Sequence, residues 1–301
     1  MRTSALPDKG IEYGAPAIFV LLWSTGFLGA KWGLPYIEPA TFLTIRFAIV
    51  TVLFSLLVVF LRAPLPSTPR AWLHIATSGC LVHGVYLGGV FASISLGVNA
   101  GVSALIVGIQ PLITAVLVGP WLGEKITSRQ WAGFFVGVLG VSLVVMDSFT
   151  FESQESLGLL LCVIALIAIS IGTVYQKKFC ADMDLRSGSA IQFFAATVFV
   201  SIFALIFESR EINWHPQFFL ALGWLCIVLS LGAVSLLMWL IRRGAASKVA
   251  SLFYLVPPLV AVESWLLFDE IMQTAAIAGL CLCTAGVWLV LKPARSATKN
   301  S

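Results

Sequence analysis

The chain repeats itself, without a gap, at an offset of 146 residues. Gly26 pairs with Gly172, Lys31 with Lys177, Phe47 with Phe193, Thr51 with Thr197, Ser55 with Ser201 and Ala104 with Ala250. Toward the end of each half, Pro111 pairs with Pro257, Glu124 with Glu270, Gly133 with Gly279 and Gly140 with Gly286. Each half reads as five apolar spans. Five is odd, so a second copy must enter a membrane from the opposite side. The pattern predicts an all-α integral membrane protein of ten transmembrane helices. They form two inverted five-helix repeats, at 14–147 and 156–291.

Composition forces the same setting. Hydrophobic residues make up 59% of the chain and charged residues 11%, against roughly 25% charged in a soluble domain. The formal net charge of +4 is spread between the apolar spans and builds no basic patch. That excludes nucleic acid as a partner and leaves the charges as topology signals. The predicted spans are 14–33, 40–61, 72–92, 100–120 and 130–147, then 156–175, 188–207, 218–240, 246–268 and 272–291. Each is near the ~20 residues that cross a bilayer. The first lacks a small-residue cleavage site and reads as a retained helix rather than a signal peptide.

With a cytoplasmic N-terminus, 15 of the 18 lysines and arginines fall on the inner side; Lys31 and Arg210 fall outside, and Arg46 lies within a span. Both termini are therefore expected in the cytoplasm.

Few polar groups lie deep. Arg46 is six residues past Ala40 and Glu263 six before Asp269, which puts both at a depth of about 9 Å. A charge alone at that depth costs several kcal/mol, so matched depths suggest a pair or a shared wet cavity with a gating or coupling role. His83 and Tyr86 are three apart on the third span and predict one helix face, beside the space left by Gly84, Gly88 and Gly89. Pro111 and Pro257 break the fourth and ninth spans at equivalent positions, freeing the carbonyls of Val107 and Phe253. Unwound backbone at that depth is tolerated only inside protein or beside water, so the two breaks mark a substrate pathway, with Gln110 beside it. The seven-residue spacing of Gly133/Gly140 and of Gly279/Gly286 predicts a close seam between the fifth and tenth helices.

The sequence holds no P-loop, HExxH or GxSxG motif. An intramembrane enzyme would need a catalytic cluster, and only His83 with Glu263 could supply one. Dense acidic rings of a cation channel are also missing. The six cysteines read as packing residues, not as a disulfide framework or metal site. No catalytic residue, metal or cofactor is predicted.

These features resemble the drug/metabolite transporter superfamily, in the branch built from two EamA domains. The likeness covers 14–291. It rests on Trp23-Ser24-Thr25-Gly26, on Phe42-Leu43-Thr44-Ile45-Arg46-Phe47, and on Pro111 with Glu124, repeated as Pro257 with Glu270. It implies a multi-pass bacterial inner-membrane transporter with a cavity between two EamA-like halves. Most members export amino acids, drugs or other metabolites, and some import. The small multidrug resistance relatives carry an acid in the first helix for protons and substrate. Here Ala15 to Gly33 holds none, so that route of proton coupling has no residue to carry it.

The resulting expectation is an alternating-access exporter of amino acids or related neutral or zwitterionic compounds. A drug or other metabolite exporter is the alternative, and an intramembrane enzyme a weaker one. The partners are a small-molecule substrate and the lipid bilayer, and a monomer suffices. The predicted binding residues are Trp23, His83, Tyr86, Gln110, Pro111, Tyr254 and Pro257, with Trp239 as a further aromatic wall.

Overall fold

The computed structural model describes residues 9–98, 100–145, 155–243, 246–268 and 274–291. Among these the chain is helical, with one isolated antiparallel bridge between Ile37 and Ile212. Lipid offers backbone groups no hydrogen bonds, so each crossing segment must satisfy its own, which an α-helix does. The helices are α1 (Lys9–Gly33), α2 (Pro39–Phe60), α3 (Pro69–Gly79), α4 (Tyr86–Ser95), α5 (Ala100–Gly108), α6 (Gln110–Leu122) and α7 (Ser128–Val145). The second half follows with α8 (Glu155–Phe179), α9 (Leu185–Phe207), α10 (Pro216–Trp224), α11 (Val234–Arg243), α12 (Ala246–Ser251), α13 (Val256–Phe268) and α14 (Thr274–Leu291).

This is a multi-pass membrane protein. Among the described residues, six segments are long and apolar enough to cross a bilayer: Gly14–Tyr36, Pro39–Phe60, Pro69–Ser95, Ser156–Phe179, Leu185–Phe207 and Pro216–Arg243. The regions predicted as the fourth, fifth, ninth and tenth spans are helical too, as α5–α6, α7, α12–α13 and α14. Asp269 and Glu270, the second-half acids, lie outside the described residues.

Two long segments contain π-helix. Cys80–Val85 joins α3 to α4, and Leu225–Ala233 joins α10 to α11. Shifted by the repeat offset, the first falls inside the second. Nothing in the apolar pattern announces a π turn, and the sequence reading missed both. The proline breaks do appear. Ile109 interrupts α5 and α6, and a 3₁₀ turn at Leu252–Leu255 precedes α13.

The helices pack across the halves: α1 on α10, the second π segment and α13, and in the mirrored roles α8 on α3, the first π segment, α4 and α6; α2 runs along α9, and α7 along α14. The last pair forms the predicted glycine seam. A Cβ added to Gly133 would lie 2.7 Å from the Gly286 carbonyl oxygen. One added to Gly140 would lie 2.7 Å from the Cys283 amide and 2.8 Å from the Gly279 carbonyl. Backbones this close leave room for hydrogen only.

At one end of the bundle the halves are latched by two glutamates. Glu208, just past α9, accepts hydrogen bonds from the amides of Ala40 (2.7 Å) and Thr41 (2.6 Å) and from the Thr41 hydroxyl (2.7 Å). It thus satisfies orphan donors at the N-terminus of α2. Glu38 returns the contact, accepting from Ser209 Oγ at 2.8 Å and the Arg210 amide at 3.0 Å. These bonds, led by Ser209, hold the Glu38 carboxyl below the usual carboxylate range.

Candidate functional site

Where the halves meet, α1, α2, α4 and the second π segment line a small, partly open cavity of about 30 Å³. Its lining includes Trp23, Arg46, Tyr86, Val90, Phe91 and Leu229. This volume holds one or two waters, too little for an organic solute. A larger groove of about 850 Å³ runs between α2, α3 and α9. It is walled by Val58, Trp72, Phe194, Val198 and Ile202, an apolar surface of the kind a bilayer covers.

The aromatic wall is built from separate elements. The Trp23 ring on α1 stacks on Tyr86 with centroids 6.4 Å apart and planes 7° apart. Phe253, from the 3₁₀ turn, meets the Trp23 ring edge-on at 5.4 Å. Phe19 closes the cluster at 5.2 Å from Trp23 and 5.6 Å from Phe253.

Arg46 is 3% exposed. Its Nε and Nη2 donate to one oxygen, Ser230 Oγ, at 3.2 and 3.1 Å. Glu263 does not pair with it. One carboxylate oxygen accepts from Ser24 Oγ at 2.6 Å, and the other is buried without a partner. The direct ion pair that matched depths allowed is therefore absent. Depth fixes a position along the membrane normal but not the helix face, and these two side chains address different neighbours.

Trp23, Tyr86 and Arg46 are the predicted site residues that come together at the cavity; His83, Gln110, Pro111, Tyr254 and Pro257 do not line it. His83 stacks instead on Phe193 of α9, at 4.3 Å and 11°, and both ring nitrogens lack hydrogen-bond partners. Its separation from Tyr86 has a physical cause. The i, i+3 rule assumes 3.6 residues per turn, whereas His83 lies in a π segment with i→i+5 bonds. Since neither ring nitrogen has a partner, the His83–Glu263 pair that an enzyme would require is not formed.

Gln110 turns toward α8, donating to Thr173 Oγ1 at 3.3 Å, with its own carbonyl oxygen unpartnered. Pro111 and Pro257 sit in the first turns of α6 and α13, where a missing N–H costs little. The Phe253 carbonyl is not left free, because it accepts from the Val256 amide. Tyr254 points into the glycine seam, where its hydroxyl donates to the Phe134 carbonyl at 2.8 Å and its ring lies against Gly137. The 3₁₀ turn thus sends Phe253 to the aromatic cluster and Tyr254 to the α7 contact. Trp239 lies under the Arg243 guanidinium at 4.6 Å.

Sequence reasoning passed over Phe253 and Ser230. The proline break draws attention to the Phe253 carbonyl and not to its ring, and Ser230 carries no local signal. A buried serine 184 residues from its arginine becomes visible only in three dimensions.

Comparison with known proteins follows the same architecture. The model of the EamA-like transporter family matches twice, over 13–146 and 156–292. The chain is 29% identical to the uncharacterized transporter YvbV of Bacillus subtilis, over 91% of this chain and 89% of that protein. It is 25% identical to a probable amino-acid metabolite efflux pump of Escherichia coli, over 90% and 92%. The uncharacterized inner membrane transporter YedA of Escherichia coli is 27% identical over 83% and 80%. A solved structure titled only as the crystal structure of a protein aligns with a TM-score of 0.77. It covers 92% of this chain and 95% of its own at 18% identity, which is likeness of fold.

Proposed function

Because this chain belongs to the EamA-like transporter family, we propose that it is a secondary transporter exporting small organic metabolites, amino acids or related neutral and zwitterionic compounds foremost. The carrying observation is the small cavity bounded by residues of both repeats, in which Arg46 is the one charged residue among the described lining and Trp23 and Tyr86 supply aromatic walls. One cation among aromatic rings suits a small solute with a carboxylate and an apolar body, and suits a dianionic phosphate ester poorly. A relative named as a probable amino-acid metabolite efflux pump supports the same choice.

In this reading the two halves, 14–147 and 156–291, are inverted five-helix repeats of a ten-helix carrier. They rock about the cavity so that it opens to each side in turn. The protein resides in a bacterial inner membrane with both termini in the cytoplasm. Arg46 and Glu263 act on that equilibrium from separate positions, the latter through Ser24 beside Trp23. Counterflow of labelled amino acids into proteoliposomes tests the reading. Saturable exchange of at least one amino acid is expected. Vesicles inert to amino acids and to a wide metabolite panel would refute it.

A further inference from the structure

Among the described residues Arg46 is a buried cation with no acid bonded to it. A guanidinium carries five N–H donors, yet among the described residues its only side-chain acceptor is Ser230 Oγ, shared by two of its nitrogens. That hydroxyl is itself tied to the Leu225 carbonyl at 3.0 Å. The Phe47 ring adds a face 5.7 Å away. A buried charge without a counter-ion is among the costlier arrangements a membrane protein can hold, and it usually marks function.

The repeat provides an internal control. The residue 146 positions after Arg46 is Gln192. Its amide donates to Ser78 Oγ at 3.1 Å and to Gln176 Oε1 at 3.2 Å. Arg46 ties α2 to the π segment of the second half. Gln192 ties α9 to Ser78, two residues before the π segment of the first half. A neutral amide therefore performs the same helix-to-helix connection in the other half. Packing does not require a positive charge at this position.

We propose that Arg46 anchors a carboxylate on the transported solute, and that Ser230 holds the guanidinium until the solute arrives. This rests on the transporter reading above. Guanidinium and carboxylate match as two parallel forks, which a single hydroxyl cannot reproduce. Trp23, Tyr86 and Phe91 then receive the apolar remainder. The ligand class is small monocarboxylates with an apolar body. An ammonium group is not required by this contact, and organic cations are repelled by it. Chloride offers the same charge without the fork and is the competing source of an anion.

The test uses the full-length protein, purified in detergent for melting and reconstituted in phosphatidylethanolamine/phosphatidylglycerol vesicles for counterflow. The probes are L-leucine, 4-methylpentanoate (no ammonium), leucinamide and isopentylamine (no carboxylate), and sodium chloride against sodium sulfate. Leucine and 4-methylpentanoate should raise the melting temperature of the wild type, and the amide and amine should not. Arg46→Gln, the residue the other half already uses, should melt near wild type and bind the acids about 10- to 100-fold more weakly. Ser230→Ala should bind them at least as tightly as wild type. If Arg46→Gln does not fold, Arg46→Lys keeps the charge without the fork and should show a smaller loss, and the acid-against-amide comparison still decides on the wild type. Equal binding of leucine and leucinamide overturns the anchor, as do acid affinities unchanged in Arg46→Gln, a response reproduced by chloride, or no melting shift with either acid. Exchange of amines that is indifferent to Arg46→Gln would sink the anchor alone. Failure of every solute class to exchange would sink the transporter reading.

Discussion

Gly140 offers the sharpest test of how the two last helices are held. In Gly140→Ala the new methyl would lie 2.7 Å from the Cys283 amide nitrogen and 2.8 Å from both Cys283 Sγ and the Gly279 carbonyl oxygen. Ordinary contact begins near 3.5 Å, so α7 and α14 must separate locally by roughly 0.7 Å, and gaps of that size forfeit a quarter to a half of each neighbouring contact. Two of the three obstacles are backbone and cannot rotate away. Overpacking of this kind costs about 1–3 kcal/mol. Alanine recovers ~1 kcal/mol of helix propensity, which leaves a net loss on the order of 0–2 kcal/mol, toward the upper end where the obstacles are backbone. Gly88, in the first turn of α4 and preceded by the π segment without a break, is the control, because a Cβ there meets nothing within 4 Å. Gly88→Ala should gain about 0.5–1 kcal/mol from propensity alone. At roughly 2–4 °C per kcal/mol, the two variants should melt on opposite sides of the wild type in detergent, followed by tryptophan fluorescence. Solute preference should be unchanged in both. A Gly140→Ala protein that melts at or above wild type, or two variants shifted in the same direction, would refute the seam argument.

Tyr254→Phe removes the bond to the Phe134 carbonyl and should lower stability by about 0.5–1.5 kcal/mol, while titrations of a verified solute keep their midpoint. Glu38 sets a pH limit. Its carboxyl lies below the usual carboxylate range through the Ser209 bond, so the stabilisation it contributes is complete above an unfolded pKa of about 4.3 and lost as pH falls through the lower folded value. Melting temperature should therefore be insensitive to this group from pH 8 to 5 and decline below about pH 4, and Glu38→Gln should flatten that decline. A decline of equal depth in the variant would mean that another group causes it.

The sequence determined the elements whose cause is periodic or local. Apolar spans became helices because lipid leaves the backbone no other partner. The glycine seam was legible because the seven-residue spacing holds Gly133 and Gly140 on one face, and that face meets Gly286 and Gly279 as predicted. The proline breaks were legible for the same reason, since proline ends an i→i−4 ladder wherever it stands. What those breaks expose was decided by tertiary structure. A 3₁₀ turn returned the Phe253 carbonyl to Val256 and split Phe253 from Tyr254 between two neighbours. The π segments were likewise beyond sequence pattern, because a π turn persists only where surrounding helices reward the extra residue, and one of them turned His83 away from Tyr86. The site shows the division most plainly. Arg46 was identifiable as a deep charge from its place in the second span. Its acceptor, its failure to pair with Glu263 and its share of a small cavity with Trp23 and Tyr86 depended on helices far apart in the chain arriving side by side. Depth in a membrane is a property of the sequence, whereas the face a side chain presents to a distant helix follows from packing.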